Sequence, residues 1–249
     1  MPSTLDAILL CGGAGLRLRS VTADGPKAMA GITGRPFLEL LLRQLERHDF
    51  ERVILAVGYR MDVIRSHFGG QAFGMQLLYS TESSPLGTGG AVRQAAHLVS
   101  SETVLVMNGD SYTDVDLGRV VADHRVSGAE ASIVAVPADG RNDCGTIRVN
   151  EGGRVVRFEE KQNAADACYV NAGIYVVSRQ LLYDIPPGIQ LSIEHEVFPR
   201  WLEEDHDIRA IIRPGTCVDI GTPERYWRAQ ELLENVEAVE SGVDLRGER

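Results

Sequence analysis

The stretch Ala7-Ile8-Leu9-Leu10-Cys11-Gly12-Gly13-Ala14-Gly15-Leu16-Arg17-Leu18-Arg19, followed by Pro26-Lys27, decides how this chain is read. Ala7 to Leu10 form the short apolar run expected of a buried parallel strand. The run stops at Gly12-Gly13-Ala14-Gly15, where only small residues let a backbone turn tightly and approach a ligand closely. Backbone N–H groups in such a turn point inward at anions, and Arg17, Arg19 and Lys27 add positive charge within reach of that concavity. A polyphosphate is the guest this chemistry suits. The P-loop pattern fails, because no Ser or Thr follows Lys27, and the dinucleotide fingerprint fails, because Leu18 stands where its third glycine belongs. Taken alone, the turn remains open to a plain structural reading as a strand-to-helix connection.

The 249 residues, 44% hydrophobic and 24% charged, suffice for one sizeable α/β domain. A formal net charge of −10 argues against general nucleic-acid or anionic-membrane binding, so phosphate binding must be local. No run approaches the roughly 20 apolar residues of a membrane span, and no leader pattern opens the chain, so a cytoplasmic location is expected. Cys11, Cys144, Cys168 and Cys217 are dispersed without a C-x-x-C pair, which suggests neither zinc nor a disulfide framework.

Alternation of strand and helix patterns continues along the first half. Pro36 is expected at the first helical position of an apolar-striped helix from Phe37 to about Leu45. Val53 to Val57 reads as a strand, Met61 to Phe68 as a helix closed by Gly69, and Met75 to Ser80 as a strand. This spacing predicts right-handed crossovers, hence an α/β, Rossmann-like, mainly parallel sheet flanked by helices. Pro85-Leu86-Gly87-Thr88-Gly89-Gly90 opens a helix to about Val99, and its glycines allow close approach to something flat, such as a nucleobase. Thr103 to Met107 is a strand ending in Asn108-Gly109-Asp110, a carboxylate where open α/β sheets bind ligands. Asp116 is expected to cap the next helix.

Beyond residue 128 the pattern becomes strand-rich. Ala131 to Val136 is a strand, Gly145 to Val149 and Arg154 to Phe158 make a hairpin, and Tyr169 to Val177 is a strand holding Asn171 and Gly173. A glycine there suggests that a ligand approaches the backbone. Ser192 to Glu203 is expected as one helix, Ile208 to Arg213 as a strand, and Pro223 to about Glu240 as a final helix capped by Thr222. That last helix could cover its own sheet or a second copy, so a homo-oligomer stays open.

These residues resemble the sugar-phosphate nucleotidyltransferases over residues 5 to 235, most closely the D-glycero-D-manno-heptose 1-phosphate guanylyltransferases. Gly12-Gly13-Ala14-Gly15-Leu16-Arg17-Leu18 stands for the family's G-G-x-G-[TS]-R-L turn, Pro26-Lys27 for its P-K pair, and Pro85 to Gly89 for its base loop. Gly109-Asp110 and Asp219 match its metal aspartates, Glu160-Lys161 its E-K pair, and Asn171-Ala172-Gly173 its N-x-G. The resemblance implies the nucleotide-diphospho-sugar transferase fold, with one domain over residues 1–241, a nucleotide part to about 128, a sugar part from about 129, and a flexible tail over 242–249. It implies transfer of GMP from GTP to a sugar 1-phosphate, a heptose 1-phosphate first and mannose 1-phosphate second, for surface polysaccharide assembly.

By the same resemblance Arg17 and Lys27 are catalytic, and Leu10, Cys11, Gly12, Gly13, Ala14, Gly15, Glu82, Pro85, Gly87, Thr88, Asn108 and Gly109 bind nucleotide. Gly145, Glu160, Lys161 and Asn171 bind the sugar phosphate, and Asp110 and Asp219 hold Mg²⁺. Leu16 departs from the usual Thr or Ser, at the cost of one hydroxyl donor; Ser20 and Gln162 stand where prolines are common. Glu82 argues for guanine, because a carboxylate only accepts hydrogen bonds and guanine presents two donors on one edge. A non-catalytic nucleotide-binding subunit is the reading from another class. It predicts loss of at least one catalytic charge, whereas Arg17, Lys27, Asp110, Lys161 and Asp219 are all present.

Overall fold

The computed structural model describes residues 5–22, 25–138, 145–159 and 169–240. In chain order its strands are β1 (Asp6–Leu10), β2 (Gly31–Ile32), β3 (Arg35–Pro36), β4 (Arg52–Val57), β5 (Gln71–Ala72), β6 (Met75–Thr81), β7 (Thr103–Asn108) and β8 (Ser111–Thr113). The second half adds β9 (Ala131–Pro137), β10 (Thr146–Val149), β11 (Val155–Glu159), β12 (Tyr169–Ser178), β13 (Ile208–Ile212) and β14 (Cys217–Asp219). The helices are α1 (Phe37–Glu46), α2 (Met61–Phe68), α3 (Gly87–Ala95), α4 (Leu117–Ser127), α5 (Arg179–Asp184), α6 (Phe198–Glu203) and α7 (Pro223–Glu240).

One mixed sheet runs β11-β10-β12-β7-β1-β4-β6-β5, with β9 beside β12 and β13 beside β9. Its centre is parallel: β1 pairs with β4 and β7, and β4 with β6. Strand β12 enters antiparallel between β7 and β9, so the sheet is continuous from the first half into the strand-rich second half. Strand β1 is apolar on both faces because both are covered: Ala7 and Leu9 join the core under α1, and Ile8 joins the core under α3. Asp6 begins it fully buried, accepting from the backbone N–H groups of Ser100 and Ser101 and lying 3.3 Å from the Arg52 guanidinium. A buried carboxylate persists only with such partners.

Several expectations are corrected in detail. Pro36 is the residue before α1, in extended geometry, because its N–H-free ring sits in the β2–β3 pair and Phe37 starts the helix. Helix α3 stops at Ala95 and tightens into a 3-10 turn at Ala96–Leu98. The single helix expected over Ser192 to Glu203 is a π-turn, Ile193–Val197, followed by α6. Pro199 gives the reason: it has no N–H for an α-helical bond to residue 195, and Val197 and Phe198 bond five residues back instead. Helix α5 was not anticipated, although Ser178 caps it by accepting from the Leu181 N–H at 3.3 Å.

The glycine-rich loop before α3 also meets a neighbour that the sequence did not indicate. A Cβ on Gly87 would lie 2.5 Å from the Leu191 carbonyl oxygen, and one on Gly90 would drive into that of Ile189. Gly89 N–H donates to Leu191 O at 2.8 Å. What approaches Gly89 and Gly90 is the chain's own segment 189–193. Gly173 likewise has φ +70, with Asn108 and Ser111 side chains where its Cβ would be. The register of β12 against β9 shifts there, between Asn171 and Tyr175.

The final helix packs on its own chain: Tyr226, Ala229 and Leu233 are buried, and the Tyr226 hydroxyl donates to Gly31 O at 2.6 Å. No helix among the described residues is long and apolar enough to cross a membrane. Cys11 and Cys217 are buried free thiols; Cys144 and Cys168, like the tail from Ser241, lie outside the described residues.

Gly90→Ala should reverse the usual helix rule. In an open helix that change gains about 1 kcal/mol, but overpacking against the Ile189 carbonyl should cost about 1–3 kcal/mol net. Urea denaturation with an unchanged slope is the measurement, and a stabilised variant would refute the packing account.

Candidate active site

A cavity of about 800 Å³ opens at the C-terminal ends of β1, β4 and β7. Its floor is Leu10, Cys11, Gly12, Gly13 and Ala14, with Lys27 and Ala28 on one side. Gly58, Tyr59, Glu82, Pro85, Gly87 and Thr88 also line it, as do Asn108, Gly109 and Asp110 at the end of β7. The turn is fixed at its ends: Cys11 N–H donates to Ala56 O at 2.8 Å, and Lys27 N–H to Gly13 O at 3.1 Å. Gly15 has φ +59, and the space a side chain would need is taken by Lys27 Cβ. Gly109 is equally constrained, since its Cβ would lie 2.5 Å from Leu10 O.

Lys27 is mostly buried and its ammonium pairs with the Asp110 carboxylate. Asp219 accepts from Arg225 Nη1 at 3.0 Å and from Gly221 N–H at 2.8 Å. The two aspartates come together because β8 pairs with β14, Ser111 opposite Asp219, and Ile220 N–H donates to Asp110 O at 3.0 Å. Asp110 lines the cavity and Asp219 flanks it. Two hard carboxylates, each already neutralised by a cation, fit a divalent ion in donor type. Cys11 lies beside them, and burial, aided by the Asp110 charge, pushes its thiol up to about 12. It stays neutral and offers no nucleophile.

Glu82 leaves the end of β6 half-buried. Its Oε2 accepts from Leu86 N–H at 3.0 Å, and its Oε1 would sit 3.1 Å from a Cβ on Gly12. Burial raises its carboxyl above the ordinary value, and the Leu86 bond opposes that rise. Arg17 lies on the 3-10 turn Leu16–Leu18, exposed, and is not among the residues that line the cavity. Leu18 anchors that turn in the core while Leu16 is 67% exposed. Arg19 is outside the lining too, but donates to the hydroxyl of Tyr59, a wall residue, at 3.1 Å.

On the strand-rich side, Asn171 N–H donates to Gly145 O at 3.0 Å, which joins two of the expected sugar-side residues. Neither belongs to the cavity wall. Glu160 and Lys161 lie outside the described residues. Sequence reasoning missed Tyr59, Ser83, Ser84, Gln190 and Glu194 as wall residues. Ser83 and Ser84 adjoin Glu82 and were within reach of a local reading. Glu194 was not, because it arrives from a π-turn that no short motif marks.

Three known proteins are similar to this chain, two compared by sequence and one by structure. The mannose-1-phosphate guanylyltransferase of Mycobacterium tuberculosis is 36% identical over 98% of this chain and 68% of its own length. The D-glycero-alpha-D-manno-heptose 1-phosphate guanylyltransferase of Campylobacter jejuni is 34% identical over 90% of this chain and 97% of its own. The crystal structure of HddC from Yersinia pseudotuberculosis complexed with GMP-PN superposes with a TM-score of 0.80 at 29% identity, covering 92% of this chain and 99% of that one. The nucleotidyl transferase family model matches residues 6–236, and the chain belongs to that family.

Proposed function

We propose that this enzyme transfers GMP from GTP to a sugar 1-phosphate, D-glycero-α-D-manno-heptose 1-phosphate first, with release of pyrophosphate. The observation that carries the guanylyl reading is Glu82 in the cavity wall. With Oε2 on Leu86 N–H, the carboxylate keeps lone pairs for the N1–H and 2-amino donors of guanine. Mannose 1-phosphate is the second reading, supported by the Mycobacterium tuberculosis relative.

In this reading an oxygen of the sugar 1-phosphate attacks the α-phosphorus in line, and the bond to the β-phosphate breaks. No protein nucleophile is required, so catalysis rests on positioning and charge neutralisation. Backbone N–H groups of the Gly12–Gly15 turn and the Lys27 ammonium receive the phosphates, with Arg17 at the mouth for the departing pyrophosphate. To reach the α-phosphate, Lys27 exchanges Asp110 for a phosphate oxygen, one anion for another. Asp110 and Asp219 would hold Mg²⁺, which supplies further neutralisation of phosphate charge when bound. Lys161 is proposed to grip the sugar phosphate.

Lys27→Met should lower kcat on the order of 10²–10³ with a smaller change in GTP affinity, measured by pyrophosphate release. Removal of divalent ions with EDTA should abolish turnover, and added Mg²⁺ should restore it; undiminished activity in EDTA would count against the two-aspartate site.

Glu82→Gln should narrow the preference for GTP over UTP and ATP in competition assays. Protonation removes an acceptor, so wild-type GTP preference should also weaken as pH falls through the raised Glu82 value, and the variant should lose that dependence. The stability sign is opposite. A carboxyl raised in the folded state destabilises when ionised, so this contribution falls as pH rises between the unfolded and folded values. Glu82→Gln should therefore not lower the melting temperature at neutral pH. Equal GTP preference in wild type and variant would refute the assignment.

A further inference from the structure

Glu194 is the most heavily bonded acid facing the cavity, and nothing in the reaction described above uses it. Its Oε1 accepts from the Tyr175 hydroxyl at 2.9 Å and from Asn108 Nδ2 at 3.3 Å. Its Oε2 accepts from Thr88 Oγ1 at 3.2 Å and from Ser192 Oγ at 3.3 Å. A carboxylate has about four lone-pair sites, so these four donors saturate it. It has no capacity left for a substrate hydroxyl. Its four partners come from the base loop, the end of β7, the π-turn and β12.

The connections continue outward on both sides. Thr88 Oγ1 in turn accepts from Ile193 N–H at 2.8 Å, tying the base loop to the π-turn. The fully buried Tyr175 hydroxyl accepts from Asn171 Nδ2 at 2.9 Å, tying the carboxylate to the strand on the sugar side. Asn108 spends its amide nitrogen on Glu194 while its buried Oδ1 has no partner among the described residues, which is the orientation expected of an amide pinned by the carboxylate. The π-turn is held from below by aromatic packing, with the Phe198 ring 5.3 Å from Phe158, 5.1 Å from Tyr175 and 5.5 Å from Trp201.

We propose that Glu194 is a positioning residue that rigidly bridges the nucleotide loop and the sugar-side strand, so that occupancy of one half-site changes affinity at the other. The inference rests on the reading above for which ligand takes which half. Any coupling carried by such a shared element is, by linkage, equal in both directions.

The test is a pair of cross-effects read by calorimetric titration of GTP, mannose 1-phosphate and heptose 1-phosphate. Tyr175→Phe alters the sugar side and should weaken GTP binding about fivefold or more. Thr88→Val alters the base loop and should weaken whichever sugar phosphate binds. Both cross-effects should vanish in a Glu194→Ala background, and Glu194→Gln, whose amide can still meet rotatable hydroxyls, should retain them in part. If Glu194→Ala does not fold, Glu194→Asp, one methylene shorter, takes its place in the cycle. Unchanged GTP affinity in Tyr175→Phe, or a cross-effect undiminished without the Glu194 carboxylate, would overturn the bridge. Wild-type protein that binds GTP and neither sugar phosphate would count against the proposed sugars, and the GTP titrations alone would still decide the bridge.

Discussion

Where β1 and β7 finish side by side, the Leu10 carbonyl lies so close to Gly109 that no side chain fits between them. That contact fixes where the parallel ladder ends, and therefore where the glycine turn begins and where Asp110 emerges. Every charged group of the site is referred to this edge. Lys27 is held by backbone to Gly13 and by charge to Asp110, and Asp219 reaches Asp110 through the β8–β14 pair. A different residue at 109 would move the strand ends apart, and the cations and carboxylates would separate together.

The electrostatics are local for the same reason. The chain carries ten excess negative charges, yet Asp110 in the cavity wall is paired with Lys27, and the neighbouring Asp219 with Arg225. Fields from exposed surface acids are screened within about 8 Å at physiological ionic strength, whereas partly buried pairs at the strand ends are not. An acidic protein can in this way present a site suited to polyanions, with each carboxylate already balanced before a ligand arrives.

How much of this was legible in the chain depended on range. Strand β1, the turn after it, α1 and α2 were readable because apolar period, glycine placement and capping act within a few residues. Asp110 was readable from its place at a parallel strand end, Lys27 from its charge near the glycine turn and the P-K pair, and Glu82 from its place before the base loop and its acceptor chemistry; all three line the cavity. Glu194 was hidden, since its contact with Thr88 spans 106 residues and rests on a π-turn that a helical period disguises. The glycines at 87, 89 and 90 were seen, and the segment 189–193 packed against them was not, because a glycine in sequence does not say everything that approaches it. Glu160 and Lys161 remain readings of the sequence, lying outside the described residues.

The packing of segment 189–193 against these glycines has a wider consequence. Since the segment 189–193 occupies the space beside Gly87, Gly89 and Gly90, these glycines are demanded by folding whether or not a nucleotide ever binds. A descendant of this chain that abandoned catalysis for a scaffolding role would be free to lose Lys27 or Glu82, and would still be compelled to keep the loop. The loop is thus a record of ancestry, and the charges around it are the record of work.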